Sequence, residues 1–302
     1  EIDHTALMGR VRRRIGDKRL LALVKAFLKA GIMTETGRRE ETITGTPQGG
    51  ILSPLLANVA LSVLDEHLHG GWQPTGDMAT SSIRARRRSK GLPNWRVVRY
   101  ADDFVVMSND GIAEVQQAKE EIREYLKTQL HLELSEEKTL LTHVNDGFNF
   151  LGFHIQRANP EGRWVVHLRP AEKSKERVKK KLKDLTSRGW TWMDEYSRLT
   201  TLNAIVKGWA EYYKYTSLLA DIEDITRHTW FRYLGWLLKK HKGSRKHNLI
   251  TTKTKVIHNR TRWTASVREG EKILEAYQWL PSPKELQRRR YYQKGKDGFP
   301  HP

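Results

Sequence analysis

Cysteine is absent from this chain of 302 residues. Its absence excludes disulfide partners, thiol catalysis and cysteine-ligated zinc, and it is typical of a reducing compartment. Long apolar runs are also missing: none approaches the roughly 18 residues of a membrane-spanning helix, and no signal-peptide pattern opens the chain. We therefore expect a cytoplasmic protein without a membrane partner.

Acidic residues are scarce in the second half of the chain. Residues 1–168 hold 23 basic and 21 acidic side chains, whereas residues 169–302 hold 31 basic and 14 acidic ones. Tryptophan and tyrosine are interspersed with the basic residues there, and residues 225–267 contain no carboxylate side chain. Because cations follow phosphates and aromatic rings can stack on unpaired bases, this composition predicts a nucleic-acid partner. An anionic membrane surface is the alternative.

The segment RYADDFVVMSND places two adjacent carboxylates, Asp102 and Asp103, between two apolar runs. The runs WRVVRY and FVVMS are rich in β-branched residues, which predicts a hairpin with the carboxylates at its tip. Such carboxylates could bind Mg²⁺, which takes a few carboxylates together with phosphate oxygens; two such ions about 4 Å apart serve phosphoryl transfer. The alternative is an ordinary solvated turn, because aspartate is favoured in turns.

Hydrophobic periodicity divides the chain into an α+β part with an antiparallel sheet and a helical part. Helices are predicted at 5–30 with a break at Gly16-Asp17, 53–69, 111–130, 171–187, 197–217 and 221–240. Strands are predicted in WRVVRY, FVVMS, LHLELS, EEKTLLTHV, FNFLGFHIQ and RWVVHL. We expect Ser53 to cap its helix ahead of Pro54, and residues 70–95 to form an exposed basic loop.

Four segments together resemble one enzyme family. Tyr100-Ala101-Asp102-Asp103 resembles the YxDD motif of reverse transcriptases, and GTPQGGILSPLLANVAL (45–61) is similar to their motif B. LHLELSEEKT (130–139) is similar to motif D and FNFLGFHI (148–155) to the primer-grip strand. GWAEYYKY (208–215) further resembles the thumb of group II intron-encoded reverse transcriptases. The chain is thus identified by resemblance as a group II intron-encoded reverse transcriptase/maturase.

The resemblance implies a fold and a division into domains. We expect a right-hand polymerase palm with an antiparallel sheet, its fingers largely missing at the N-terminus, followed by an all-α thumb/maturase domain. The expected boundaries are 1–168 for the palm with partial fingers, 169–270 for the thumb, and 271–302 for a basic linker or the start of a DNA-binding region.

The resemblance also implies site residues. Asp102 and Asp103 would be catalytic ligands of two Mg²⁺ ions, with a further carboxylate ligand expected upstream of Glu1. Lys138 would donate a proton to the leaving pyrophosphate; an exposed lysine without a role is the alternative. Contacts to template, nucleotide or primer would come from Pro47, Gln48, Gly49, Gly50, Tyr100, Ala101, Leu151 and Gly152. For Leu151 and Gly152, an ordinary packed strand is the alternative.

The basic residues would bind RNA. The candidates are Arg86, Arg87, Arg88, Lys173, Lys175, Lys179, Lys180, Lys181, Lys239, Lys240, Lys242, Arg245 and Lys246. The implied function is that of an RNA-directed DNA polymerase that also helps its intron RNA to splice and move. The implied partners are group II intron RNA, a DNA target and primer, and dNTPs, in a bacterial or organellar interior. The alternatives are a non-catalytic RNA-binding splicing cofactor with a relic polymerase fold, and a retron-type or CRISPR-associated reverse transcriptase.

Overall fold

The computed structural model describes residues 3–29, 32–33, 39–40, 52–217 and 219–281. The helices are α1 His4–Arg12, α2 Lys18–Lys29, α3 Ser53–His69, α4 Ser81–Ser89, α5 Ile112–Leu130, α6 Glu172–Leu185, α7 Glu195–Tyr212, α8 Ala220–Lys240 and α9 Lys246–Lys253. The strands are β1 Ile32–Met33, β2 Arg39–Glu40, β3 Trp95–Tyr100, β4 Asp103–Ser108, β5 Phe148–Phe150, β6 Phe153–Ala158, β7 Val165–Pro170, β8 Thr254–Ile257, β9 Arg260–Glu269 and β10 Lys272–Tyr277. Every strand pairing is antiparallel. None of the described helices is long and apolar enough to cross a membrane.

The described residues form two compact units that divide between Leu141 and Thr142. Unit 1 holds α1–α5 and β1–β4, and unit 2 holds β5–β10 and α6–α9. The boundary expected at residue 168 lies inside unit 2, because β5, β6 and β7 cluster with the helices that follow them. The functional division into three domains stays a prediction.

Helix α3 supplies much of the core of unit 1. It turns Leu56, Ala60 and Leu64 inward, as their helical spacing predicts, against the buried side chains of α1, α2 and α5. The predicted break between α1 and α2 at Gly16-Asp17 is confirmed. The predicted cap is wrong: the N-cap is Leu52, which has no side-chain capping bond, and Ser53 is already helical.

Two sequence predictions in unit 1 are wrong. Residues 81–89 of the predicted loop form helix α4, which Thr80 caps by accepting a hydrogen bond from Ile83 N. LHLELS and EEKTLLTHV are not strands, although Leu132 and Leu134 alternate inward and pack against the core. Alternation marks one buried face, but a strand also needs a ladder of hydrogen bonds to a neighbour. These segments belong to none of the sheets of the described residues, although the Val144 carbonyl accepts one hydrogen bond from Arg157 N at 2.9 Å.

The core of unit 2 lies between helices α6, α7 and α8. Its largest fully buried side chains include Trp236 and Trp263. The three helices match the positions predicted from the sequence within a few residues, apart from the end of the second, which stops at Tyr212. The segment Asn-Pro-Glu-Gly forms the turn between β6 and β7, where a short 3-10 helix spans Pro160–Gly162.

The prediction of an all-α region at 169–270 is wrong, because residues 254–277 form a three-stranded sheet in the order β10-β9-β8. Within β9 the burial alternates, with Trp263 and Ala265 turned inward. His258 and Asn259, at φ 52° and 58°, form a tight turn between β8 and β9. That geometry suits a two-residue hairpin connection, but His-Asn is not the usual Asn-Gly signal, so the strands are hard to recognise in the sequence.

Candidate active site

The hairpin of β3 and β4 carries the adjacent carboxylates, as predicted. Tyr100 pairs with Asp103, so the connection contains only Ala101 and Asp102. Val97 is buried and anchors β3, whereas Asp102 and Asp103 are exposed at the tip. The strands therefore present both carboxylates to solvent on a fixed base.

Ala101 adopts an unusual backbone conformation, with φ at 54°. A residue with a Cβ pays about 1 kcal/mol in this left-handed region. Such a conformation persists only where surrounding contacts impose it, and it is concentrated at functional sites. Specific contacts are therefore expected to hold this turn.

Arg99 holds the turn against helix α3. Its Nη1 donates to the carbonyl oxygen of Ala101 at 2.6 Å and to Oδ1 of Asn58 at 2.9 Å. Its Nε and Nη2 donate to the two carboxylate oxygens of Asp65 at 2.9 Å and 2.5 Å. The hydrogen bonds that Arg99 donates to Asp65 outweigh partial burial and raise the pKa of Arg99. One permanently charged side chain thus connects the carboxylate turn to two residues of α3.

The carboxylate pair fits part of a magnesium site. Mg²⁺ is usually bound by one or two protein carboxylates, with substrate phosphates and waters completing the octahedron. Two exposed, adjacent carboxylates on a rigid tip match that donor set. Among the described residues no group of three or more histidines, aspartates or glutamates could hold a metal ion, so a complete protein ligand set is not found there.

Leu151 and Gly152 form a second tight hairpin turn rather than part of one continuous strand. They connect β5 to β6, Phe150 pairs with Phe153, and their φ angles are 49° and 78°. Positive φ at both central residues matches the twist of the flanking strands but is costly for leucine. The packed-strand alternative is therefore wrong at these two positions, while a role in primer binding stays a prediction.

Two tyrosines fix this turn: Tyr212, the last residue of α7, and Tyr213, which follows it. The Tyr212 hydroxyl donates to the carbonyl of Leu151 at 2.8 Å, and that of Tyr213 to the carbonyl of Gly152 at 3.2 Å. A Cβ on Gly152 would lie 2.7 Å from the Tyr213 hydroxyl, so this close approach needs glycine. Both tyrosines belong to GWAEYYKY, but no local pattern in that segment indicates contacts with a turn 61 residues away. They are site residues that the motif match missed.

A mostly apolar cleft of about 440 Å³ opens beside the Leu151-Gly152 turn. Its lining residues include Phe153, Tyr212 and Tyr215. Because Tyr212 is more than half exposed, the cleft has an accessible aromatic surface suited to stacking.

Two further predictions concern Lys138 and residues 47–50. Lys138 is exposed in a turn after α5, where its backbone N–H donates to the Ser135 carbonyl at 3.2 Å. Its catalytic role stays a prediction. Pro47, Gln48, Gly49 and Gly50 lie outside the described residues.

The ten basic residues of unit 2 that are predicted to bind RNA fall into two groups. Four bind groups of the protein itself: Lys175 contacts Asp221 and Glu172, Lys179 contacts Asp224, Lys239 donates to Thr186 O, and Lys240 donates to Thr191 O and Met193 O. The others are exposed: Lys173, Lys180, Lys181, Lys242, Arg245 and Lys246. A nucleic acid would reach the exposed group first.

The arginines of α4 divide in the same way. The guanidinium of Arg84 lies 4.4 Å from the ring centroid of Trp72, and Arg87 binds Asp77 and the carbonyl of Pro93. Arg86 and Arg88 are exposed. Of the three arginines predicted to bind RNA, Arg87 therefore also has a structural role.

Comparison with known proteins agrees with this geometry. Residues 1–155 match the family model "Reverse transcriptase (RNA-dependent DNA polymerase)", and the chain belongs to that family. Residues 175–254 match a second model, "Group II intron, maturase-specific domain", which places the chain among the group II intron reverse transcriptases/maturases.

Curated relatives point the same way. Protein YkfC of Escherichia coli (strain K12) is 36% identical over 187 residues, covering 58% of this chain and 49% of its own. Group II intron-encoded protein LtrA of Lactococcus lactis subsp. cremoris is 32% identical over 196 residues, covering 51% of this chain and 33% of its own. An uncharacterized 91 kDa protein in the cob intron of Schizosaccharomyces pombe is 27% identical, covering 71% of this chain and 33% of its own. The chain thus spans half or less of these relatives.

Proposed function

We propose that this protein is an RNA-directed DNA polymerase of a group II intron, and that it also binds the intron RNA to assist splicing and target-primed reverse transcription. The observation that carries the polymerase proposal is the hairpin tip, where Asp102 and Asp103 are exposed on a turn that Arg99 fixes to α3. An acidic tip on a strongly basic chain suits a protein that brings metal ions to phosphates.

Each proposed site residue has a part in nucleotide addition. Asp102 and Asp103 would hold Mg²⁺, which when bound would supply activation of the primer 3′-hydroxyl and stabilisation of charge on the transferring phosphate. Arg99 keeps their turn in place. Gln48 and Gly49, with Pro47 and Gly50, position the template base and the dNTP, Ala101 lies beneath the primer end, and Tyr100 contributes to contacts with template, nucleotide or primer. Leu151 and Gly152 grip the primer, and Lys138 protonates the pyrophosphate.

The second unit serves RNA binding in this proposal. Residues 1–168 act as palm with partial fingers, 169–270 as thumb and maturase region, and 271–302 as a basic linker or the start of a DNA-binding region. The exposed cations bind intron RNA: Arg86, Arg88, Lys173, Lys180, Lys181, Lys242, Arg245 and Lys246. The match to the maturase-specific model over 175–254 supports this role and favours a group II intron enzyme over the retron-type and CRISPR-associated lineages.

Primer extension tests the polymerase. The full-length protein is given an RNA template, a DNA primer, dNTPs and Mg²⁺, and is compared with Asp102→Asn/Asp103→Asn. We expect extension to fall about a thousandfold, because removal of metal ligands forfeits several kcal/mol of transition-state stabilisation. Glu120→Gln/Glu121→Gln removes two adjacent exposed carboxylates from α5 and is the matched control. Equal activity in the wild type and the aspartate variant would refute the assignment.

A non-catalytic splicing cofactor is the second candidate, because the described residues contain no group of three metal ligands. Splicing of the intron RNA by Asp102→Asn/Asp103→Asn separates the two. We expect splicing to survive while extension is lost. A wild type that assists splicing without extending any primer would favour the cofactor.

A further inference from the structure

The sheet β8–β10 lies almost wholly beyond both matched family models, which cover residues 1–155 and 175–254. Its inner face is fixed firmly to the helices. Trp263 is fully buried, with its ring 4.8 Å from that of Trp230, and its Nε1 donates to the Trp230 carbonyl at 3.1 Å. Asn203 of α7 donates to the carbonyl of Tyr277 at 2.7 Å. The sheet is therefore a rigid continuation of the maturase-specific region.

As far as the described residues show, the opposite face of the sheet is largely solvent-exposed, and it is predominantly basic. Alternation from the inward Trp263 and Ala265 turns Arg262, Ser266 and Arg268 of β9 outward. In register, Lys255 of β8 faces Arg262, while β10 contributes three outward residues. These are Ile273, Glu275 and Tyr277. We call this surface, with Lys255, Arg262, Ser266, Arg268 and Tyr277 as its contact residues, the outer sheet face.

The two arginines of this face have no carboxylate partner among the described residues, whereas Lys255 pairs with Glu275. Lys255 and Arg262 are directly opposed, and like charges in that position are destabilising. Nε of Arg262 is buried without a hydrogen-bond partner among the described residues, so only the outer end of this half-buried side chain can reach a ligand, whereas Arg268 is exposed and has no ion pair there. Glu275 is the one carboxylate of the face, and Lys255 and the Tyr277 hydroxyl already contact it. The two arginines are therefore available to an external anion.

We propose that the outer sheet face binds the phosphate backbone of RNA. Guanidinium groups present forked donors that match phosphate oxygens. The exposed Ser266 hydroxyl and Tyr277 ring add a hydrogen-bonding group and a stacking surface. RNA is the partner because the face is continuous with the region that matches the group II intron maturase model. The inference rests on the RNA-binding part of the proposed function and adds a surface to it.

The experiment measures RNA binding by the full chain. Fluorescence anisotropy with a labelled RNA hairpin compares the wild type with Arg262→Gln/Arg268→Gln across a salt series. Each lost phosphate contact lowers the slope of log affinity against log salt by roughly 0.7–0.9, so we expect a decrease of about 1.5 and an affinity loss of about tenfold at low salt. Arg12→Gln/Arg19→Gln removes two exposed arginines from unit 1 and should change affinity much less.

A single substitution distinguishes a loss of RNA binding from a loss of folding. Arg268 is exposed, so Arg268→Gln should leave thermal unfolding unchanged and still give about half the change in slope. Unchanged slopes in both variants, or equal losses in the control, would overturn the outer sheet face while leaving wild-type RNA binding intact. Weakened binding to a DNA duplex of the same sequence, with RNA unaffected, would overturn the assignment to RNA. A wild type that binds no RNA would remove the RNA-binding part of the proposed function as well.

Discussion

Arg99 and Asp65 form a two-point contact across 34 residues of sequence, with Nε to Oδ1 at 2.9 Å and Nη2 to Oδ2 at 2.5 Å. The third nitrogen of the same guanidinium holds the carbonyl of Ala101. The position of the carboxylate turn therefore depends on helix α3, which begins at Ser53, shortly after the GTPQGG segment in the sequence. Arg99 is a positioning residue, since it acts through the turn and not on the reacting atoms.

Arg99→Lys should lower the rate of primer extension more than primer binding. Lysine keeps the charge, but one ammonium cannot serve Asp65, Asn58 and Ala101 with the fixed geometry of a guanidinium. A displacement of about 1 Å at the tip can cost about a hundredfold in rate. We expect kcat to fall between tenfold and a hundredfold at an unchanged KM for the template–primer. Single-turnover extension by the full-length protein measures this.

The control is Arg96→Lys on the same strand, whose guanidinium lies 4.4 Å from the ring centroid of Trp72. It should leave kcat within about twofold of the wild type, since it does not touch the turn. Asp65→Asn should reproduce the loss seen in Arg99→Lys. If KM rises and kcat stays constant in Arg99→Lys, the positioning role is wrong.

Helix α4 carries two kinds of arginine: those that contact other residues of the protein, and those that are exposed and free to bind RNA. Arg86→Gln/Arg88→Gln should weaken RNA binding and lower its salt slope by about 1–2, with an unchanged thermal midpoint, because both side chains are exposed. Arg84→Gln/Arg87→Gln should lower the midpoint, because it removes the stack on Trp72 and the contacts with Asp77 and Pro93. Anisotropy and thermal unfolding on both variants check this. Indistinguishable behaviour of the two pairs would contradict the division.

The carboxylate hairpin was predictable because its signals are local. Two β-branched runs separated by a short polar turn specify a hairpin without tertiary information, and the YADD motif adds the chemistry. Helix α4 was not predictable in this way. SSIRARRRS has almost no apolar residues, and its helix is held by Trp72 and Asp77, which lie outside it.

Long-range contacts explain the remaining differences. The hydrogen bonds of Tyr212 and Tyr213 to the Leu151-Gly152 turn join residues 61 apart, so motif matching named the turn but not what fixes it. Sheet β8–β10 was not predictable from the sequence. The buried residue at the centre of its inner face is Trp263, and a tryptophan among basic residues indicates stacking on nucleic acid as readily as it indicates a core position. Its turn at His258-Asn259 lacks glycine.

Asp221 should make the stability of unit 2 dependent on pH. Burial alone would raise its pKa, but hydrogen bonds from Arg169 at 3.0 Å and 2.9 Å and the charge of Lys175 outweigh it, so the pKa of this carboxyl is lowered. A lowered folded-state pKa contributes stability above the unfolded value, and the contribution is lost as the pH falls through the folded value. Asp221→Asn should therefore lower the free energy of unfolding by about 2 kcal/mol at neutral pH and progressively less below about pH 4.

Urea unfolding of both proteins across a pH series measures this difference. Asp224→Asn is the control: Asp224 also has a lowered pKa, mainly through its hydrogen bond with Lys179, but it is about one-third exposed. It should cost well under 1 kcal/mol, as surface pairs do. A difference between wild type and Asp221→Asn that stays constant down to pH 2 would contradict the linkage.

Arg198 gives the least intuitive prediction. Its side chain is fully buried on α7, and none of its guanidinium nitrogens has a hydrogen-bond partner among the described residues. Burial lowers its pKa, yet arginine starts so high that it stays charged at neutral pH. The nearby charge of Asp194 compensates in part, together with the indole rings of Trp190 and Trp236, whose centroids lie 5.0 Å and 5.8 Å away.

Two desolvated cation–π contacts supply about 2 kcal/mol each at most, whereas an unpaired buried charge costs several kcal/mol. Arg198→Met, which fills similar space without charge, should therefore raise the free energy of unfolding by about 1–2 kcal/mol. Arg198→Ala should lower it, because it leaves a cavity between the two tryptophans. Urea unfolding followed by tryptophan fluorescence compares them. If the methionine variant is less stable than the wild type, the prediction is wrong. The cation–π contacts with the two indoles would then stabilise the guanidinium by more than its loss of hydration costs.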